Sequence, residues 1–201
     1  MIKNLIFDFG DVFINLDKDI VFKEIRRHGG ETQLLPQLIA VNKKYEVGAI
    51  SSDRFISEIF DLFPAIEKSE IVGIWNAMLL DFPEYRLLFL EALAQEKRYR
   101  MFLLSNTNAL HIEAVRQHMG EDRYRRFQNC FEGFYLSHEI HLRKPDREIY
   151  QFVLDKNELR PEETFFVDDT EENTEAAKNM GITCWNIKVG KEDVIDLRSR
   201  L

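Results

Sequence analysis

Five short runs of mainly apolar residues recur along the chain. They lie at residues 4–9, 99–105, 131–137, 164–169 and 182–187. The first four end in polar residues, and each is followed by a stretch with helical periodicity. Near-continuous apolar strands that alternate with helices of about 10–15 residues are typical of a parallel sheet covered on both faces. The pattern therefore predicts an α/β fold.

The segment between the first and second predicted strands is too long for an ordinary connection. Its periodicity predicts successive amphipathic helices, with Ser52 and the Ser69–Glu70 pair as N-cap residues. An insertion of this size indicates a separate helical subdomain, residues 16–82, on a sheet domain formed by residues 1–15 and 83–201. The predicted helices are Lys18–His28, Glu31–Tyr45, Ser52–Leu62 and Ile66–Leu80.

Composition narrows the possible partners and the compartment. The 201 residues include 27 basic and 35 acidic side chains, a formal charge of −8, which argues against nonspecific nucleic-acid binding. Cys130 and Cys184 match neither a zinc spacing nor a disulfide framework, so we expect buried, reduced thiols. Asp8 interrupts the first apolar run, and no run reaches ~18 residues, so we expect neither a signal peptide nor a membrane span. The sequence predicts a cytoplasmic protein, monomeric or weakly dimeric.

Polar residues stand where the predicted strands end. In an open parallel sheet, ligands bind beyond the carboxyl ends of the strands, so these residues should meet at one edge. They combine carboxylates, a hydroxyl, an amide and an ammonium group. The residues are Asp8 after the first strand, Ser105 and Asn106 after the second, Lys144 beyond the third, and Asp168 and Asp169 at the fourth.

These groups have a joint chemical use. Clustered carboxylates repel each other, and their pKa values rise unless a cation neutralises them; such oxygen ligands favour Mg²⁺ together with a substrate phosphate. Asp8 would then attack phosphorus and form an aspartyl-phosphate. Lys144 would offset charge on the phosphoryl group and keep Asp8 ionised. The Ser105 hydroxyl and the backbone N–H groups of Asn106 and Thr107 would hold the phosphoryl oxygens.

Taken singly, each of these residues also fits a structural role. An acid after a strand is often a turn or N-cap residue, which applies to Asp8 and to the 168–169 pair. Residues 105–108 are also typical of a helix cap, and Lys144 beside Arg143 is typical of a solvated face. It is their arrival in order, each at a strand end, that favours a catalytic site.

The order of four segments resembles the motifs of the haloacid dehalogenase-like hydrolases, over essentially the whole chain. The resemblance implies a Rossmann-like core with a helical cap inserted after the first motif. It also implies Mg²⁺-dependent hydrolysis of a small phosphorylated metabolite. The segments are DFGDV with Asp8, LLSNTN with Ser105, RKPD with Lys144, and FFVDD with Asp168 and Asp169.

The same resemblance assigns the metal ligands. It implies that Asp8, the backbone carbonyl of Gly10 and the acidic pair hold Mg²⁺. By this alignment Asp169 is the direct ligand, and Asp168 acts through water. Asn173 resembles the polar residue that supports the acidic loop in this family.

One position departs from the family pattern. The usual first motif carries a second Asp that protonates the leaving group, and here that position is Gly10. Asp11 is either a displaced substitute or a turn residue that points away, and the turn is the favoured interpretation. Such an acid contributes roughly 10²–10⁴-fold to the rate. Similar D-x-G-x-V motifs occur in a subgroup that resembles bacterial α-D-glucose-1-phosphate phosphatases, whose anomeric leaving oxygen depends less on an acid.

Other side chains give weaker signals. His111 and His118 lie seven residues apart, which is typical of partly exposed packing on one helix. Trp75 either lines a substrate pocket or packs in a core, and core packing is the expected role.

Three functions remain open. The first is a phosphatase. The second is a 2-haloacid dehalogenase, whose chemistry needs no metal and which the acidic pair disfavours. The third is a catalytically degenerate protein that binds a phosphorylated metabolite, which the missing acid at Gly10 allows.

Overall fold

The computed structural model describes residues 1–201, apart from the side chain of Thr32. A five-stranded parallel sheet lies between layers of helices, which confirms the α/β prediction. Every predicted strand is present, although each is shorter than its apolar run. The strands are β1 (Asn4–Phe7), β2 (Arg100–Ser105), β3 (Gly133–Leu136), β4 (Thr164–Asp168) and β5 (Thr183–Asn186), in the order β3-β2-β1-β4-β5.

Helices occupy the connections between the strands. They are α1 (Ile20–Arg27), α2 (Leu35–Glu46), α3 (Ser52–Leu62), α4 (Lys68–Asn76), α5 (Glu84–Gln95), α6 (Ala109–Met119), α7 (Glu121–Gln128), α8 (Ser137–Ile140), α9 (Arg147–Lys156) and α10 (Glu171–Lys178). Short 3₁₀ turns cover Thr32–Leu34, Pro161–Glu163 and Val194–Ser199. No helix in the described part of the chain combines the length and the hydropathy that a membrane span requires.

The central strand β1 is buried on both faces. Leu5 and Phe7 pack on one side with residues of α5 and α7, whereas Ile6 packs on the other with residues of α9 and α10. Such strands read as continuous apolar runs, because both faces are covered. Phe7 is level with Leu103 of β2 and with Val167 of β4. The residue after β1 therefore emerges between the ends of its two neighbours.

Helices α1 to α4 have a hydrophobic core of their own. Val21, Phe55 and Trp75 belong to it, and the rings of Tyr45 and Phe55 stack with centroids 4.3 Å apart. The two chain crossings between this bundle and the sheet lie side by side. There Leu80 N–H donates to the carbonyl of residue 15 (2.9 Å).

Helix starts differ from the predictions in four places. Helix α1 begins at Ile20 rather than at residue 18, α2 begins at Leu35 rather than at residue 31, and α4 is confined to Lys68–Asn76 rather than residues 66–80. The N-cap of α3 is Ser51 instead of Ser52: Ser51 is extended, and its Oγ accepts from Arg54 N–H (3.2 Å). Only an extended residue can reach back to the first turn in this way, and Ser52 is already helical. Ser69 lies inside α4 and caps nothing.

Candidate active site

Asp8 leaves the carboxyl end of β1 as a buried carboxylate. Its N–H donates to the Val167 carbonyl (2.9 Å), so the sheet ladder fixes its backbone. The ammonium Nζ of Lys144 lies 2.7 Å from Asp8 Oδ1 and 2.7 Å from Asp168 Oδ2. The Lys144 side chain is only 1% exposed. Three residues singled out from the sequence thus form one buried ion cluster.

The side chain of Asn106 positions Lys144. Its Nδ2 donates to the Lys144 carbonyl (2.8 Å), and its Oδ1 accepts from the Lys144 N–H (2.8 Å). This pair of bonds fastens the loop after β3 to the end of β2. The amide of Asn106 is therefore occupied, and only its backbone N–H remains available for a substrate oxygen.

One predicted phosphate contact is wrong in this geometry. The N–H of Thr107 donates to the Oγ of Ser137 (2.9 Å), and that hydroxyl donates back to the Thr107 carbonyl (2.9 Å). Ser137 is completely buried. The Thr107 N–H is therefore used to join β2 to α8. Sequence reasoning missed Ser137, since a serine at the start of a short helix carries no catalytic signal.

The two acidic residues at the end of β4 differ in burial and in hydrogen bonding. Asp168 is fully buried, and the Nδ2 of Asn173 lies 3.0 Å from each of its carboxylate oxygens. The Thr170 N–H donates to Asp168 Oδ1 (2.8 Å). Asn173 supports the acidic loop, as the resemblance implies. Asp169 is less deeply buried, with 9% of its side chain exposed.

Carboxylate oxygens of Asp8, Asp168 and Asp169 lie within 4.8 Å of one another. Burial raises the pKa of Asp8 from 3.8 to about 7; Lys144 opposes this, and the charges of the two neighbouring acids add to it. The predicted rise is present, but burial contributes more to it than mutual repulsion does. For Lys144, burial lowers the pKa, yet the charges of Asp168 and Asp8 outweigh burial and raise it. The ammonium therefore stays charged.

The space around Gly10 is occupied mainly by the side chain of Leu16. A Cβ at this position would lie 2.8 Å from Cδ1 of Leu16 and 3.9 Å from Oδ2 of Asp8. A side chain at position 10 would therefore require the terminal methyl group of Leu16 to move. Asp11 turns the chain in the left-handed region (φ 54°), and its Oδ1 accepts from the Leu16 N–H (3.0 Å).

A second lysine at this edge was not predicted. Lys18 Nζ lies 2.9 Å from Asp11 Oδ2 and 2.5 Å from Asp169 Oδ2. Half of its side chain is exposed. Asp11 therefore keeps the turn position that was favoured, but it does not point into solvent: it is buried and joined to the acidic pair through Lys18. Lys18 carried no signal in the sequence because it lies in a mixed-charge segment between strand and helix.

A cleft opens between this edge of the sheet and the helical bundle. Polar and apolar residues from both parts line it. From the sheet side come Gly10, Ser105 and Asn106, and from the bundle come Asn42, Glu46 and Trp75. Trp75 thus belongs to the bundle core, as expected, and also lines the cleft.

Comparison with known families decides the affiliation. A model of haloacid dehalogenase-like hydrolases matches residues 2–181. The chain belongs to this family. The match confirms the resemblance drawn from the four motifs.

Relatives within the family point to phosphatases. A D-ribitol-5-phosphate phosphatase of Bacteroides thetaiotaomicron is 26% identical over 197 residues, which cover 96% of this chain and 95% of the relative. An enzyme of the haloacid dehalogenase family from the same organism was solved with magnesium and inorganic phosphate. Its sequence is 31% identical to this chain and the TM-score of the two structures is 0.82. The match covers 96% of this chain and 97% of that enzyme. A predicted hydrolase of this type from Porphyromonas gingivalis shares the fold: 23% identity, a TM-score of 0.84 and coverage of 100% and 97% of the two chains.

His111 of α6 joins the core of this hydrolase to the helical bundle. It is buried rather than partly exposed as predicted, and burial lowers its pKa to about 4. Its Nε2 faces the Trp75 carbonyl (3.2 Å), and its Nδ1 faces the Asn108 amide nitrogen (3.1 Å). A carbonyl only accepts, so Nε2 carries the proton and Nδ1 accepts from Asn108. The imidazole is therefore neutral at pH 7.

Burial of the neutral imidazole predicts a loss of stability in acid. Because the unfolded chain binds the His111 proton near pH 6.5 and the folded protein only near pH 4, the free energy of unfolding falls as the pH drops through this interval. At pH 4.5, His111 lowers the free energy of unfolding by about 2 kcal/mol. Urea unfolding at pH 7 and pH 4.5 should show a smaller decline in His111→Gln than in the wild type. Equal declines would refute the assignment.

Proposed function

We propose that this hydrolase is a Mg²⁺-dependent phosphatase that uses Asp8 to remove phosphate from a small phosphorylated metabolite. The observation that carries the proposal is the buried Asp8–Lys144–Asp168 cluster at the carboxyl end of the sheet, with Asp169 beside it. Ion clusters of this kind are costly to bury, so the presence of one beside the cleft favours a catalytic role. Residues 16–82 would form the cap that selects the substrate. Residues 1–15 and 83–201 would form the catalytic core. Cys130 and Cys184 are free but only partly buried, not buried as expected, and free thiols suit a cytoplasmic enzyme.

The donor set fits magnesium. Three carboxylates lie within 4.8 Å of one another, and burial already disfavours the charged form of Asp8. Hard oxygen ligands of this type suit Mg²⁺. Asp8, Asp169 and the Gly10 carbonyl would hold the ion, with Asp168 behind them, since its oxygens are engaged by Lys144 and Asn173. The ion would supply positive charge that lets a carboxylate approach a phosphate dianion.

The chain's own residues then account for the reaction. An Asp8 oxygen forms a bond to phosphorus while the bond from phosphorus to the alcohol oxygen breaks, and the released oxygen takes a proton from water. Water next cleaves the aspartyl-phosphate and regenerates Asp8. Lys144 holds Asp8 in place and balances the charge of the phosphoryl group. The Ser105 hydroxyl and the Asn106 N–H would hold phosphoryl oxygens.

The substrate class follows from the relatives and the cleft. The curated relative acts on D-ribitol 5-phosphate, a sugar-alcohol phosphate. We therefore propose a phosphorylated polyol, with sugar phosphates as the alternative that the first-motif resemblance favours. The two differ in their leaving group, because a primary alkoxide depends on an acid more than an anomeric oxygen does.

Removal of magnesium tests the proposal. We expect hydrolysis of p-nitrophenyl phosphate and of a polyol phosphate to disappear in EDTA and to return when Mg²⁺ is added. A panel of sugar, sugar-alcohol, nucleotide and glycolytic phosphates, with release of inorganic phosphate as the readout, would identify the substrate. Full turnover in EDTA would reject the metal-assisted reaction, and binding without turnover would identify a degenerate protein.

The role of Asp11 can be tested through the leaving group. Both of its carboxylate oxygens are engaged, one by Leu16 N–H and one by Lys18, so we expect a structural turn instead of an acid. Asp11→Asn keeps the acceptor and tolerates a positive φ. It should change kcat/KM for p-nitrophenyl phosphate and for an alkyl phosphate by the same factor, below about threefold. A selective loss on the alkyl phosphate would make Asp11 the missing acid.

A further inference from the structure

Two polar atoms of the helical bundle are buried at the cleft without a protein partner. They are Oδ1 of Asn42 on α2 and Nε1 of Trp75 on α4, and neither bonds to any described residue. Both residues line the cleft, as Ser105 and Asn106 do. Trp75 is 8% exposed. A buried polar atom without a partner is costly, and in a residue that lines a cleft a bound ligand can complete its hydrogen bond.

The contacts of Asn42 fix which atom it offers. Its Nδ2 donates to Glu46 Oε1 (2.9 Å), and Glu46 Oε2 accepts from Nε of Arg143 (3.3 Å). Since a carboxylate only accepts, the amide nitrogen must face Glu46, and Oδ1 is left as a hydrogen-bond acceptor. Arg143 precedes Lys144, so this chain of contacts also ties the bundle to the loop of the catalytic lysine.

Trp75 is held just as firmly. Its ring stacks on His111 with centroids 5.5 Å apart and meets Phe55 at 4.7 Å. Its carbonyl accepts from His111. The indole Nε1 can only donate. Asn42 and Trp75 therefore offer one acceptor and one donor, the two roles that hydroxyl groups can satisfy.

The charges around the cleft select a neutral partner for these atoms. Among the described residues lining it, the charged ones are Lys18 and Glu46, and His111 is neutral. Lys18 is already paired with Asp11 and Asp169, and Glu46 with Arg143. The bundle side thus offers no free cation for a second phosphate or a carboxylate. An uncharged tail that carries hydroxyl groups fits this wall.

We propose that Asn42 and Trp75 are specificity residues that bind hydroxyl groups on the uncharged tail of a phosphorylated polyol. This inference rests on the proposed phosphatase function and adds the residues that read the substrate. A hydrolysable phosphate whose tail lacks hydroxyls would leave both buried atoms unpaired. Sites built to bind a hydroxyl reject analogues that lack it, because the polar groups of the site are then buried without a partner.

A matched pair of substrates tests the proposal. D-Ribitol 5-phosphate and n-pentyl phosphate have the same carbon chain and differ in their hydroxyls. We expect the wild type to prefer the polyol in kcat/KM. Asn42→Leu and Trp75→Phe remove the polar atoms and keep much of the volume. Each should lower that preference by roughly 3–10-fold, the effect of one neutral hydrogen bond, mainly through a higher KM for the polyol.

The control is Asn76→Leu. Asn76 also lies in the bundle and also has a buried, unpartnered Oδ1, but it does not line the cleft. Its replacement should leave the preference unchanged. An unchanged preference in both Asn42→Leu and Trp75→Phe, or an equal drop in Asn76→Leu, would overturn the proposal. The proposal would also be overturned if the wild type hydrolysed n-pentyl phosphate with the same kcat/KM as D-ribitol 5-phosphate and α-D-glucose 1-phosphate. If the wild type showed no activity toward p-nitrophenyl phosphate, the phosphatase function itself would be refuted.

Discussion

Asp8→Asn should abolish phosphatase activity and leave the protein as stable as the wild type. The amide keeps the shape of the carboxylate and can still accept from Lys144, whose Nζ lies 2.7 Å from Asp8 Oδ1. It lacks the charge and nucleophilicity needed to bond to phosphorus. We expect kcat to fall by roughly 10⁴-fold or more, as for the removal of a nucleophile.

The thermal stability of Asp8→Asn, unlike its activity, should equal or exceed that of the wild type. Burial raises the pKa of Asp8 from 3.8 to about 7, so the ionised carboxylate is disfavoured in the fold and its contribution becomes more unfavourable as the pH rises from 4 to 7. A neutral amide avoids this penalty. In the absence of Mg²⁺, thermal unfolding at pH 8 should give Asp8→Asn a Tm equal to or above that of the wild type. An unfolded variant, or one with near-normal turnover, would contradict the nucleophile assignment.

The positions of Asp8, Ser105 and Asp168 could be predicted because each lies at a strand end. Asp8 and Asp168 follow runs that are apolar on both faces, and such runs indicate central parallel strands. Strand ends of a parallel sheet share one edge, so the approach of these acids follows from topology. Lys144 was predicted by its order in the motifs, and its contact with both acids could not have been measured from spacing.

Contacts made by loops and by the helical bundle were not predictable in the same way. Lys18 reaches Asp11 and Asp169 through a flexible side chain from a segment without periodicity. Ser137 takes the Thr107 N–H because β3 ends one residue before it, a register that sequence patterns do not fix. The N-cap of α3 was misplaced by one residue where two serines adjoin, since only backbone conformation decides which one caps, and the ends of α2 and α4 differ from prediction by up to four residues. The residue types at strand ends can be predicted from the sequence, whereas the contacts that loop side chains make depend on tertiary packing.

Lys144→Met should be the most destabilising of the substitutions considered. Met keeps most of the stem, but it leaves Asp8 and Asp168 as adjacent buried carboxylates without a cation. Removal of one partner from a buried ion pair costs about 3–5 kcal/mol, because the remaining charge is unpaired. We expect a decrease of about 3 kcal/mol in the free energy of unfolding at pH 7.5, and a loss of at least roughly 10²-fold in kcat/KM.

Lys18→Met is the matched control for burial. Lys18 also bridges two aspartates, at 2.9 Å and 2.5 Å, but half of its side chain is exposed, whereas Lys144 is 1% exposed. Water screens such a pair, so its loss should cost less than about 1 kcal/mol. The deficit of Lys144→Met should also shrink at pH 5, because Asp8 is then protonated and the repulsion with Asp168 is relieved. Urea unfolding of both variants at the two pH values measures these differences. Equal losses in the two lysine variants would show that burial of the cluster does not control its energy, and a deficit that grows in acid would show that Asp8 is not the group that Lys144 neutralises.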